Sequence, residues 1–129
     1  MDHENNIFKE NNLDREEIHF LLTEGLKSIN LNEKDLVETA FGFTISDSEI
    51  HISIRDDSHG SPKLYVYGNQ LVMDSNDPEN HEYNISERIY GSFEISDYIY
   101  AVRTLIISYA TFMCDSHLQK AFDNLHKEK

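Results

Sequence analysis

The hydrophobic period of this chain changes twice, and these changes constrain the fold more than any other feature of the sequence. Apolar side chains recur every three or four residues from Ile18 to Ile29, which predicts an amphipathic helix. The period is two from Val37 to Ile54, which predicts strands with one buried face. The helical period returns from Ile99 to Leu125, so the order is helix, strands, helix.

The two helices carry capping signals. Asp14 is predicted to cap the first helix, and Glu17 three residues later completes a capping box. A second capping box, Ser116 with Gln119, lies inside the last helical segment. The sequence therefore leaves open whether the last helix is continuous.

About five strands are predicted between the helices, at residues 37–45, 50–55, 63–67, 70–73 and 81–95. Gly68-Asn69 is typical of a two-residue hairpin, and Gly91 is a possible bulge. Short connections imply an antiparallel sheet, and the two helices would cover one of its faces. We therefore expect an α+β two-layer sandwich over residues 13–129, a single domain, with residues 1–12 as a flexible tail. The other sheet face would carry His51, Arg55, Tyr65 and Tyr67, either solvated or at an interface.

The charge is strongly negative and uneven. The chain holds 24 acidic and 11 basic side chains, a net charge of −13. Residues 36–95 hold 11 of the acids and 3 of the bases, a net charge of −8. This balance argues against nucleic acid and anionic membranes as partners, because both are bound through Lys and Arg. The acidic loops either keep the protein soluble or attract a basic partner. A third interpretation of the acidic loops is a weak calcium site on Asp74, Asp77 and Glu79, although the spacing is not that of an EF-hand.

No catalytic or metal-binding signature occurs in the sequence. Cys114-x-x-His117 is the nearest to a metal motif, but zinc needs about four such ligands and no second cysteine exists. We expect Cys114 to be buried and structural. The five glycines include no phosphate-binding loop. We therefore predict no enzymatic activity, no cofactor and no metal.

The N-terminus has neither the basic nor the apolar region of a signal peptide, and no apolar run approaches the ~20 residues of a membrane span. We therefore expect a cytoplasmic protein. The content of Asn and Ile is typical of an AT-rich genome, bacterial or phage.

Tyrosines are concentrated in the second half of the chain and are interleaved with acids. Tyrosine is enriched at protein interfaces, where its rigid ring contributes much of the binding energy. The alternative is that these rings only border the sheet core. The predicted partner-binding residues are Asp56, Asp57, Tyr65, Tyr67, Asp74, Asp77, Glu79, Glu82 and Tyr83.

In its acidic centre and its interleaved tyrosines, the chain resembles the small cytosolic immunity proteins of bacterial toxin systems, including contact-dependent inhibition. The resemblance lies in length, charge and composition. It implies a non-enzymatic protein that binds a cognate basic toxin, most often a nuclease, and covers its active site. A phage-encoded inhibitor that mimics nucleic acid would be similar.

Two alternatives stay open. The spacing of the predicted strands over Gly42–Gly68 is similar to that of type III secretion chaperones. That family places a helix between its third and fourth strands. A small-molecule-binding or enzymatic α+β domain is the other alternative, and a deep apolar pocket with convergent polar groups would favour it.

Overall fold

The computed structural model describes residues 3–30, 35–46, 48–73 and 83–127. Five strands form one antiparallel sheet in chain order, and a single turn of 3₁₀ helix at Ile95–Asp97 leads into the last helix. The predicted α+β fold, with its N-terminal helix and long C-terminal helix, is therefore confirmed. The elements are α1 (His3–Glu10), α2 (Arg15–Ser28), β1 (Leu36–Glu38), β2 (Gly42–Ile45), β3 (Ile50–Asp56), β4 (Pro62–Met73), β5 (Tyr83–Phe93) and α3 (Tyr98–Lys127).

The core lies between the helices and one face of the sheet. Alternate residues of β2, β3 and β4 point into it, as the period of two predicts, and meet the apolar faces of the helices. Its fully buried members include Leu22, Leu26, Phe43, Ile45, Ile50, Ile52, Leu64, Val66, Leu105 and Tyr109.

The start of α2 is fixed from two sides. The side chain of Asp14 accepts a hydrogen bond from the Glu16 backbone N–H at 3.0 Å, so Asp14 is the predicted N-cap. Glu17 is used differently from the predicted capping box, because its carboxylate accepts a hydrogen bond from the Tyr98 hydroxyl at 2.9 Å. This bond ties the first turn of α2 to the first residue of α3.

The segment predicted as one strand over 37–45 is two strands. A turn at residues 39–41 separates β1 from β2, and the Thr39 N–H donates to the Gly42 carbonyl at 2.9 Å. The guanidinium of Arg15 donates to the carbonyls of Thr39, Ala40 and Gly42 at 3.2–3.3 Å. Because these partners are distant in sequence, the alternation of apolar residues gave no sign of the turn.

The predicted hairpin at Gly68-Asn69 is wrong, since β4 runs unbroken through it to Met73. Gly68 leaves room for a ring instead: a Cβ there would lie 3.1 Å from a ring carbon of Tyr90. A bulge at Tyr90 shifts the β4–β5 register, next to the glycine predicted to mark one. Beyond the bulge, Ile89 lies opposite Tyr67, on the face away from the core.

Residues 3–12 differ from the predicted flexible tail. Residues 3–10 form α1, and Phe8 is only 2% exposed, with its ring edge-to-face on Phe43. The Arg15 guanidinium lies 4.2 Å from the centre of the Phe8 ring, so α1 packs on the same residue that holds the β1–β2 turn.

Helix α3 is continuous over 30 residues, which answers the question that the second capping box left open. Its buried side chains end at Tyr109 in the described part of the chain. Cys114 is exposed, so the prediction of a buried cysteine is wrong. No helix within the described residues is long and apolar enough to cross a membrane.

Candidate protein-binding face

The sheet face away from the helices is called the outer face here. Its centre is formed by His51, Ser53 and Arg55 of β3 with Tyr65 and Tyr67 of β4, which lie directly opposite or diagonal to one another in the register. The four residues predicted for this face therefore lie together, as the strand alternation indicates, and Ser53 lies among them. The four are His51, Arg55, Tyr65 and Tyr67. In the described residues, the helices pack on the other side of the sheet.

Arg55 organises the two tyrosines. Its guanidinium carbon lies 5.4 Å from the ring centre of Tyr65 and 5.0 Å from that of Tyr67. Its Nη1 then donates to the Glu87 carboxylate on β5 at 3.2 Å. The arginine therefore crosses β4 and links three strands through aromatic contacts and one charge-assisted hydrogen bond.

Tyr67 is held from its other side by His51 and Ser53. The rings of His51 and Tyr67 are stacked, with centroids 5.0 Å apart and planes 25° from parallel. The Tyr67 hydroxyl and the Ser53 hydroxyl share a hydrogen bond of 3.3 Å, and Ser53 is buried beneath them. Burial lowers the pKa of His51, while the carboxylates of Glu49 and Glu87 oppose that shift.

Lys63 marks one end of the outer face. Its ammonium lies 3.8 Å from a carboxylate oxygen of Asp57 and 3.6 Å from one of Glu94. Each of the two cations Arg55 and Lys63 is thus paired with acids on the same surface. Because three acids meet two bases in these pairs, the paired part of the face has no excess positive charge.

The predicted acids at the end of β3 have different positions from the tyrosines. Asp56 follows Ile52 and Ile54 in the alternation, so it lies on the helix-facing side of the sheet edge. The carboxylate of Asp57 accepts the N–H groups of His59 and Ser61 at 2.8 and 2.9 Å. The hydrogen bonds from Ser61 and then His59 lower its pKa, with Lys63 adding to the effect. Asp57 therefore holds the loop at 57–61 in place.

The remaining predicted site residues belong to the segment at 74–82 and to the start of β5. Asp74, Asp77, Glu79 and Glu82 lie outside the described residues. Tyr83 begins β5, with its backbone opposite Met73.

Two members of the face were missed by sequence reasoning. Glu87 completes the Arg55 contact, and Ile89 is 47% exposed opposite Tyr67. The uninterrupted alternation of β5 predicts Ile89 on the core side. The bulge at Tyr90 reverses the side, and the neighbouring Gly91 was the only signal of it in the sequence.

The described part of the chain holds no cluster of three or more His, Cys, Asp or Glu placed to bind a metal ion. An open groove of about 310 Å³ lies between α2 and α3, and most of its lining is apolar.

No protein-family model, no curated protein and no solved structure matches this chain.

The stacked His51 predicts a pH dependence of stability. Because its folded pKa is lowered, the unfolded chain binds a proton at this residue more readily. The contribution of the neutral ring is therefore present above about pH 6.5 and is lost as the pH falls through the folded pKa. Replacing His51 with Phe keeps the ring contact with Tyr67 and removes the titration. We expect His51→Phe to lose less free energy of unfolding than the wild type between about pH 7.5 and about pH 5.5, measured by urea denaturation.

His59→Phe is the matched control, because His59 is exposed in the loop at 57–61. It is expected to follow the wild-type pH profile. An equal loss of stability in His51→Phe and the wild type would show that the His51–Tyr67 stack does not link folding to pH.

Proposed function

We propose that this protein is a non-enzymatic immunity or inhibitor protein of the bacterial cytoplasm, which neutralises a cognate basic protein through its outer face. A nuclease toxin is the partner that fits its charge best. The observation that carries the proposal is the cluster of Arg55, Tyr65 and Tyr67 on a sheet face that the described helices leave uncovered.

The residue types of this cluster, and the fixed positions of its side chains, are typical of the centre of a protein interface. Tyr and Arg are the residue types that most often dominate binding energy. Arg55 is already fixed by Glu87, and Tyr67 by His51 and Ser53, so little side-chain entropy would be lost on binding. The exposed Ile89 opposite Tyr67 adds an apolar contact at the same place.

The charge of the chain favours a basic partner. A net charge of −13 gives a field that would accelerate the encounter with a protein rich in Lys and Arg. The outer-face cations are already paired with Glu87, Asp57 and Glu94, so they would not repel such a partner strongly. The mechanism would be steric occlusion of the toxin's active site, with electrostatics setting the rate of association.

The first experiment is a low-salt pull-down with the tagged full chain from its host, followed by mass spectrometry. One stoichiometric basic partner is expected. With the purified pair, association should slow steeply as salt rises while dissociation changes little. An association rate that does not respond to salt would contradict charge steering.

Ile89→Lys tests where the partner binds. It places a positive charge beside Tyr67 on the outer face, and we expect the affinity to fall by about 30-fold or more. Phe20→Lys is the control, because Phe20 is a similarly exposed apolar residue on α2. Binding by Ile89→Lys that equals the control would place the interface elsewhere. The acids at the end of β3 are poorer test positions, since changing Asp57 would disturb its own loop.

No observation favours the secretion-chaperone alternative. If β2, β3 and β4 correspond to the first three strands of that family, its intervening helix would follow β4. Here β4 continues to Met73, and only residues 74–82, outside the described residues, remain before β5. Recovery of a secretion effector, held by its N-terminal segment, would nevertheless replace the toxin-inhibitor proposal.

A further inference from the structure

Helix α3 has a second apolar stripe, separate from the one that enters the core. Tyr100, Ile107, Leu118 and Leu125 are each more than half exposed, and Leu125 is 71% exposed. Their spacings are seven, eleven and seven residues, so they follow a heptad seam along the helix. Smaller residues occupy the seam positions between them, namely Thr104, Thr111, Cys114 and Ala121.

The stripe continues along the part of α3 that has no buried side chains in the described chain. No described residue of α3 beyond Tyr109 is buried, and residues 110–127 extend about 27 Å at 1.5 Å per residue. In proteins most helical stability comes from packing of an apolar face, and no described residue of this part of α3 is buried by such packing. The exposed side chains of Leu118 and Leu125 along it indicate a surface that is covered in the working protein.

The seam is complementary to itself when it is reversed. If two copies of α3 lie antiparallel with the two-fold axis between Phe112 and Met113, large residues meet large ones and small residues meet small ones. The large pairs are Tyr100 with Leu125 and Ile107 with Leu118. The small pairs are Thr104 with Ala121 and Thr111 with Cys114. A self-complementary patch is what a two-fold symmetric interface requires.

Charge makes this surface the place where two copies repel each other least. Helix α3 carries 3 basic and 2 acidic side chains, so the remainder of the chain holds a net charge of −14. Two copies would repel each other wherever their acidic parts meet. The nearly neutral helix is the part of the chain that a second copy approaches at the lowest electrostatic cost.

We propose that the protein forms a homodimer through an antiparallel pairing of the exposed stripes of α3. Tyr100 and Ile107 also line the groove between α2 and α3, so the apolar surface widens at both ends of the pair. The outer face lies on the opposite side of the sheet from α3 and stays accessible in each copy. The dimer is therefore independent of the proposed inhibitor function, and either can fail alone.

Light scattering after size exclusion of the full chain measures the oligomeric state, and we expect twice the mass of one chain. Leu118→Glu places a charge in the seam at a 59% exposed position and should weaken the dimer by about 30-fold or more. Gln119→Glu adds the same charge next to it, off the seam, and should stay dimeric. Circular dichroism checks that both variants are folded. A monomeric wild type, or a Leu118→Glu variant as dimeric as the control, would overturn the proposal.

Cross-linking tests the direction of the pairing. In the antiparallel pair, Thr111 of one copy faces Cys114 of the other, so Thr111→Cys should form a disulfide-linked dimer under mild oxidation. The wild-type Cys114 residues are offset along the axis by about 4.5 Å and should cross-link much more slowly. A parallel pair would bring the two Cys114 residues together. Rapid cross-linking of the wild type, with no gain from Thr111→Cys, would overturn the antiparallel arrangement.

Discussion

Replacing Gly42 with alanine is expected to destabilise the domain by about 3 kcal/mol or more, which is the upper range for overpacking a buried site. Gly42 is the first residue of β2 and is buried against β3. A Cβ there would overlap the Ile52 carbonyl oxygen and lie 2.9 Å from the Ser53 Cα. Both are backbone atoms of the paired strand, so no side-chain rotation relieves the contact. The strands would have to separate. This loss is large, because the total free energy of unfolding of such a domain is roughly 5–15 kcal/mol.

Gly60→Ala provides the comparison, measured by the same urea denaturation. Gly60 has a φ of +80°, but a Cβ there would have no atom within 4 Å. Its cost is the backbone strain of alanine in the left-handed region, of order 1–3 kcal/mol. The expected order is therefore a larger loss for Gly42→Ala than for Gly60→Ala. The reverse order would mean that β2 does not approach β3 as closely as described.

The parts of the fold that the sequence predicts are those set by local periodicity. The period of two places His51, Arg55, Tyr65 and Tyr67 on one face because their strand positions share parity, and the register confirms it. The same parity places Asp56 on the opposite face from these tyrosines. Local rules also predict Asp14 as the N-cap.

The parts that the sequence does not predict depend on contacts between distant residues. The turn at residues 39–41 contains no Gly, Pro, Asn or Asp, and Arg15 holds its carbonyls from the start of α2. Gly68 is a typical turn residue by its sequence, but here it lies within a strand and allows the close approach of Tyr90. The burial of Phe8 likewise depends on Phe43 and Arg15. In each case a residue type has a meaning that only its long-range partner supplies.

Replacing Arg15 with alanine is expected to cost about 2–4 kcal/mol, since net hydrogen bonds to charged groups contribute about 1.5–3 kcal/mol each and the freed carbonyls regain some water. Arg15 donates to three carbonyl oxygens of the turn before β2 and lies between the rings of Phe8 and Phe43. One side chain therefore joins α1, α2 and the β1–β2 turn. Urea denaturation should show a lower midpoint, with an unchanged slope if unfolding stays two-state.

Two further variants separate the geometry of Arg15 from its charge. Lysine keeps the charge but lacks the planar fork that reaches several carbonyls while lying flat on a ring, so Arg15→Lys should recover less than half of the loss. Arg103→Ala removes an exposed arginine from α3 and should change the stability by less than about 0.5 kcal/mol. Full recovery by lysine would show that charge alone matters at this position. Because Arg15 fixes the carbonyls and rings of three elements at once, the structure predicts that shape and charge are both required.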